Sequence, residues 1–322
     1  MEAVLFPRFM YLYQIHKKKK NNPMEAVVKR RIAAKNIGRW DFSHGGYGAL
    51  MTDDKTFHDA FTDPDYFKLC DEEAAFGFSE IAPLIAARGG QALRCLEIGS
   101  GPGLLLGRLQ THFPNCVFEG LEPVGSGFGK TEPPLKIISA RANLNIHRCG
   151  YEGFVPNAPY DLIFSINVFE HVNSWRDYLT RTRSWLTQGG SSVMLCPNYA
   201  FPWESHFRLP IILNKPTTQR VFANAITAYE RDHDYSGLWA SLNFVTKRAV
   251  IQFARSEGLA LTSDERVMAR VFQRLFTDPA FAERQRALAG IAKLLYRLGI
   301  TRILEWPILR LFAPFMALRV VR

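Results

Sequence analysis

Between residues 93 and 198 the chain alternates continuous apolar runs with amphipathic or glycine-rich stretches, and this alternation restricts the fold more than any other feature. The runs are "LRCLEIG", "CVFEGLEP", "NIHRC", "YDLIFSINVF" and "SSVMLCPN". Runs that are apolar on both faces suit strands of a parallel sheet covered on both sides. Between them, "GLLLGRLQTHF" reads as a helix. In "NSWRDYLTRTRSWLTQGG" the residues Trp175, Tyr178, Leu179, Thr182, Trp185 and Leu186 fall on one helical face, which Gly189 and Gly190 end. The pattern predicts an α/β fold with a doubly wound, mostly parallel sheet and a ligand site at the carboxyl ends of its strands.

Outside this core the rhythm changes. Residues 1–75 form an expected N-terminal basic and helical extension, and the sheet-bearing domain is expected over 76–275. "EIAPLIAA" at its start reads as a short helix ended by "RGGQ". After Asn198 an aromatic, proline-rich insertion runs over about 199–242. "VTKRAVIQFARSEG" then restores a helix, and "LALTSDERV" reads as the last strand of the sheet. Residues 276–322 are expected to be a basic, apolar, helical C-terminal extension that does not return to the sheet.

The glycine turn "CLEIGSGPGLLLGRL", Cys95 to Leu109, decides the ligand. A dinucleotide turn needs G-x-G-x-x-G; Gly99 and Gly101 fit, but position 104 is leucine. "GSGFGKT", Gly125 to Thr131, is one residue short of a phosphate loop because position 124 is valine. What stands there instead is Glu97, then Gly99, Gly101 and Gly103, with a second acid, Glu122, ending the next strand. Glycines admit close approach of a cofactor's amino-acid tail, Glu97 places negative charge where that tail's ammonium lies, and the Glu122 carboxylate can accept from both hydroxyls of a ribose.

With these elements in this order, the chain resembles the class I S-adenosylmethionine-dependent methyltransferases over about residues 76–200. "LEIGSGPG" is similar to their first motif, "LEP" to their ribose acid, and "YDLIFSINVFEHV" to the fourth-strand motif. "YLTRTRSWLTQGGSSVMLCPN" is similar to the helix, turn and fifth strand that follow. The resemblance implies S-adenosyl-L-methionine as cofactor, with Glu97, Gly99, Gly101 and Gly103 around the methionine tail and Glu122 on the ribose. It also implies Asn167 near the transferring methyl group. It offers Glu152, in "CGYEGFVPNAPYD", as the acid of the adenine loop, although the stretch departs from the commoner Gly-Asp-Ala form.

A sulfonium methyl is already activated, so the protein must align the acceptor and, for a hydroxyl or amine, remove a proton. His206 in the insertion is the first candidate base; the competing reading packs it among Phe201, Trp203 and Phe207. His171, beside Glu170 in "FEHV", is the second catalytic candidate, or else a histidine that orients a helix start. The aromatic insertion favours a small-molecule or lipid-linked acceptor, with O-methylation preferred; a scaffold without turnover and a nucleic-acid methyltransferase are the alternatives.

The 322 residues carry a formal net charge of +10, concentrated at the two ends. Lys17 to Arg39 holds nine basic residues against Glu25, and arginines recur at 297, 302, 310, 319 and 322. The apolar opening has Arg8 in its middle and does not read as a signal peptide, while "MEAV" recurs at Met24 as a second candidate start. In the last forty residues the longest charge-free run is Leu311 to Leu318, too short to span a bilayer but suited to an anionic membrane surface. No reader motif for nucleic acid is present. The five cysteines show no paired or zinc-ligand spacing, so no zinc site is expected and no metal ligand is named, while use of a metal is not read from the sequence; a cytoplasmic protein, peripheral at the inner membrane face, is the expected location. Oligomeric state is not read from the sequence.

Overall fold

The computed structural model describes residues 57–124, 129–233, 235–277, 281–282, 286–300, 306 and 308–322. The basic stretch Lys17 to Arg39, both candidate starts and Gly125–Phe128 of "GSGFGKT" lie outside the described residues. The first long element is α1 (Pro64–Ala86), whose Asp63 cap accepts from the N–H groups of Asp65 and Tyr66 at 3.0 and 3.1 Å, with proline at the first helical position. The sequence boundary at residue 75 falls inside this helix. Within it Gly77 serves a close contact: a Cβ would lie 2.5 Å from Leu105 Cδ2.

The next elements follow the predicted alternation: β1 (Arg94–Ile98), α2 (Leu104–His112), β2 (Val117–Leu121), α3 (Glu132–Arg141), β3 (Asn145–His147), β4 (Tyr160–Ile166), α4 (Trp175–Ser184) and β5 (Leu186–Pro197). These five strands are parallel in the order β3-β2-β1-β4-β5. Glu119 on β2 ties three of them laterally, accepting from Arg94 Nε at 2.8 Å and lying 2.9 Å from His147 Nε2. Burial works against its charge, but these two partners hold its carboxyl below the usual range.

The insertion has more order than its composition suggests. It contains a two-stranded ribbon, β6 (Trp203–Glu204) with β7 (Leu209–Pro210), and two helices, α5 (Lys215–His233) and α6 (Leu238–Ser241). Tyr199, Phe207, Ile226, Leu238, Trp239 and Leu242 form a core of their own. Phe207 lies 5.0 Å from Tyr229 and 5.3 Å from Trp239, ring to ring, and Tyr199 stacks on Phe244 at 4.4 Å. These aromatics therefore pack on one another within the insertion.

Helix α7 (Lys247–Ser256), capped by Thr246, returns the chain to the sheet through β8 (Ala260–Ser263), followed by α8 (Val267–Thr277) and α9 (Arg286–Arg297). The C-terminal extension differs from expectation. Residues Phe315–Val321 form β9, antiparallel to both β5 and β8, and complete a seven-stranded sheet in the order β3-β2-β1-β4-β5-β9-β8. Met316, Ala317, Leu318 and Val320 are buried there. Arg319 lies in this strand, and Arg322 donates to the carbonyls of Ser184 and Leu186 at 2.9 and 2.6 Å, so two of the five C-terminal arginines serve the fold.

Candidate active site

The glycine turn joins β1 to α2. Gly99, Gly101 and Gly103 all have positive φ, at 73°, 52° and 78°. The N–H groups of Gly99 and Ser100 donate to the Leu121 carbonyl at 2.8 and 3.0 Å, which pins the turn to the end of β2. Gly99 also has no room for a side chain, since a Cβ would meet Val168 Cγ2 at 2.4 Å. At Gly101 a Cβ would meet nothing within 4 Å, so this part of the turn faces open space.

Two carboxylates flank that space. Glu97 is buried in β1, its Oε2 has no hydrogen-bond partner, and burial with Glu122 nearby holds its pKa well above the usual carboxylate range. A buried carboxylate oxygen without a donor is what a ligand ammonium would satisfy, so the residue fits the methionine tail of S-adenosylmethionine. Glu122 accepts from the N–H of Gly101 at 2.8 Å and of Val124 at 3.0 Å, which fixes its orientation and leaves lone pairs for two ribose hydroxyls. Burial raises its pKa as well.

Asn167 follows β4 directly, with φ of 53° and its N–H donating to the Leu195 carbonyl at 2.8 Å. Asparagine tolerates this left-handed conformation better than most residues. Glu152 stands exposed on a short 3-10 turn (Tyr151–Gly153) after β3, where its carboxylate accepts from Asn173 Nδ2 at 3.1 Å. Its neighbour Tyr151 is buried and donates to the Ser174 carbonyl, a packing role. The phosphate-loop decoy is occupied otherwise: Thr131 Oγ1 lies 2.9 Å from the Tyr66 hydroxyl, and Lys130 pairs with Asp63 at 3.5 Å.

Beyond Asn167 the chain places Glu170 and His171 under the insertion. Asn243 braces this loop, donating from Nδ2 to the carbonyls of Phe169 and Val172 at 2.9 and 3.0 Å and from its backbone to Glu170 at 2.8 Å. His206 comes down from the insertion, and its ring centroid is 5.2 Å from that of His171. A ring nitrogen of each histidine and a Glu170 carboxylate oxygen lie within 4.8 Å of one another. Both histidines named as catalytic candidates from the sequence thus lie in one cluster.

The neighbours of these three were largely missed. His206 Nδ1 is 2.7 Å from Glu204 Oε1, and Glu204 also accepts from the Phe207 N–H at 2.6 Å and the Tyr199 hydroxyl at 3.2 Å. Burial opposes charge on His206, but Glu204 and the nearby carboxylates overcome it and raise its pKa. His171 Nδ1 is 2.8 Å from Ser241 Oγ, and burial pushes this imidazole down to about 3. Glu170 is fully buried, neither of its oxygens accepts a hydrogen bond, and desolvation raises it to about 7. Glu73 on α1 adds a further negative charge felt by Glu170 and His206. Only the i, i+2 spacing of Glu204 and His206 was a sequence signal; Ser241 and Glu73 gave none.

A left-handed glycine turn after β1, a buried acid before it, a second acid ending β2 and a seven-stranded sheet with one antiparallel strand define a class I methyltransferase. The family comparison agrees: residues 71–261, more than half of the chain, match the methyltransferase domain family, and the chain belongs to it, among the S-adenosylmethionine-dependent methyltransferases. The protein Rv1509 of Mycobacterium tuberculosis strain H37Rv is 34% identical over 193 residues, which are 59% of this chain and 65% of that protein. The tRNA U34 carboxymethyltransferase of Haemophilus influenzae strain PittGG is 26% identical over 39% of this chain and 38% of its own. Among solved structures, the cyclopropane synthase MmaA2 from Mycobacterium tuberculosis is 17% identical, with a TM-score of 0.43 over 88% of this chain and 99% of that one.

Proposed function

We propose that this methyltransferase transfers the methyl group of S-adenosylmethionine to a hydroxyl oxygen of a small-molecule or lipid-linked acceptor. The observation that carries the reading is His206, presented with its Nδ1 engaged by Glu204 so that Nε2 is available, beside His171 and past the carboxyl end of β4. A hydroxyl must lose its proton as the new O–CH3 bond forms, and a neutral imidazole nitrogen at the acceptor suits that need. Glu97, the glycine turn and Glu122 hold the cofactor, with Asn167 near its methyl group and Glu152 at the adenine. S-adenosylmethionine supplies the activated methyl; beyond removal of the hydroxyl proton, what remains is orientation.

The lipid-linked form of the acceptor has support on the surface. Leu294, Leu298, Ile300, Trp306, Ile308 and Phe312 are exposed, with Arg297 and Arg310 close in sequence, as on segments that lie in a membrane interface. No helix among the described residues is long and apolar enough to cross a membrane. This reading puts the protein in the cytoplasm, against the inner face of the membrane. A nucleic-acid acceptor is the second reading; it is favoured by the relatives named for tRNA modification and by the basic stretch at Lys17 to Arg39. Binding of tRNA that weakens steeply with salt would support it.

The test uses the purified chain, isotopically labelled S-adenosylmethionine and hydroxyl, amine and tRNA acceptors. Glu122→Ala is expected to weaken cofactor binding about 10- to 100-fold through loss of charge-assisted hydrogen bonds. His206→Ala is expected to bind the cofactor normally and lose transfer. Label recovered on nitrogen or on tRNA would overturn the hydroxyl reading.

A further inference from the structure

We infer that Glu170, His171 and His206 form a binding site for one divalent transition-metal cation, with Ser241 and Glu204 orienting the two imidazoles. The site is argued from the side chains alone; only its use in catalysis rests on the proposed hydroxyl acceptor.

The donor set comes first. Two imidazoles and one carboxylate bring nitrogen and oxygen atoms within 4.8 Å of one another. A cation held at about 2.0–2.2 Å from each donor needs them roughly 3–3.5 Å apart, so a closure of at most about 1.5–2 Å by side-chain rotation completes the set. The second observation is Glu170. Its side chain is fully buried and both oxygens lack a hydrogen-bond donor, although His171 Nε2 stands 4.0 Å from Oε1. A buried carboxylate in that state is costly without a partner, and a cation is the partner that two neighbouring imidazoles can share.

The third observation is orientation. His171 Nδ1 is held by Ser241 Oγ at 2.8 Å and His206 Nδ1 by Glu204 Oε1 at 2.7 Å. In both rings Nδ1 is therefore engaged, which leaves Nε2 as the nitrogen for a cation, and that of His171 stands toward Glu170. Metal-binding histidines are commonly fixed in this way through the nitrogen that does not bind metal. Charge points the same way: Glu170, Glu204 and Glu73 face the cluster, and the nearby Lys215 ammonium is engaged with the carbonyls of Ala240 and Leu242. Imidazole donors favour zinc, copper, iron or nickel over magnesium, calcium or manganese. Three protein donors leave at least one position open.

That open position gives the site its use. An acceptor hydroxyl bound there gives its proton to water, because the cation stabilises the oxyanion. The oxygen then forms the O–CH3 bond while the S–CH3 bond breaks, and the electron pair of that bond stays on sulfur as neutral S-adenosylhomocysteine. With the cation present His206 is a ligand, and the metal-bound hydroxyl replaces imidazole protonation as the source of the nucleophile.

The experiment is a titration of the chelator-treated full chain with Co2+ alone, followed by its visible spectrum, and with Zn2+ alone by calorimetry. One ion per chain is expected, without the charge-transfer absorption that cysteine ligands would add. Glu170→Gln and His206→Asn should each weaken binding by more than about 100-fold and Glu204→Gln by about 10-fold, the latter as for loss of an orienting partner. Retained S-adenosylmethionine binding shows that each variant is folded. Equal Co2+ affinity in native and variant chains, or a thiolate band, would overturn the site. If the ion binds as described but no hydroxyl acceptor is methylated, the site stands and the acceptor reading falls. If chelator-treated protein free of metal methylates a hydroxyl at full rate, the catalytic use falls and the acceptor reading stands.

Discussion

Glu97 carries the sharpest consequence at the scale of single residues. Burial and the nearby Glu122 hold its pKa well above the usual carboxylate range, which biases it toward the protonated form before the cofactor arrives. A ligand ammonium beside Oε2 favours the ionised form, so binding should release a proton. Calorimetric binding heats are therefore expected to vary with the ionisation enthalpy of the buffer, and Glu97→Gln should remove that variation. The glycines divide by the same kind of argument. Gly101→Ala should cost about 1–2 kcal/mol of stability, from its left-handed backbone alone, and weaken cofactor binding. Gly99→Ala should lower the melting temperature further, because its Cβ collides with Val168. The turn was legible in the sequence because its signals are local: a fixed glycine spacing with an acid on each side. The histidine cluster was legible only as separate candidates. Their meeting depends on the insertion folding back over the loop after β4, and no spacing rule links His171 to a ring 35 residues away.

At the scale of elements, β1, β2 and β3 are joined by one carboxylate. The pKa of Glu119 is depressed in the folded chain by Arg94 and His147, so its stabilising effect is present above the ordinary carboxylate range and is lost as pH falls through the depressed value. Glu119→Gln is expected to lower the melting temperature at neutral pH. The gap to the native chain should narrow as the solution is acidified below the usual carboxylate range, a comparison that thermal unfolding at several pH values makes directly. Strands β1, β2, β4 and β5 could be read from their continuous apolar runs. Helix α5 could not, because among its residues only Thr218 and Ile226 are buried, too few to draw an apolar stripe. Strand β9 was hidden for another reason. Its sequence, "FMALRVV", follows a long arginine-punctuated apolar stretch, and Arg319 interrupts the run that would have marked a strand.

For the whole molecule, the sheet now dictates how surface attachment is tested. Removing everything after Leu298 would delete β9 and leave β5 and β8 without their shared partner, so loss of vesicle binding by such a truncation would report unfolding. Substitutions at exposed positions keep the sheet intact. Trp306→Ser with Ile308→Ser is expected to reduce cosedimentation with anionic vesicles while leaving S-adenosylmethionine binding unchanged, and unaltered cosedimentation would refute attachment through this segment. The position of β9 also has a bearing on biosynthesis. As the chain is made, β8 leaves the ribosome before its only neighbour in the sheet exists, and it must wait while α8, α9 and the following segment are translated. The first five strands can assemble meanwhile, with the open flank of β5 exposed to any passing strand. The interval between the synthesis of β5 and that of β9 is thus when the nascent chain is most in need of a chaperone.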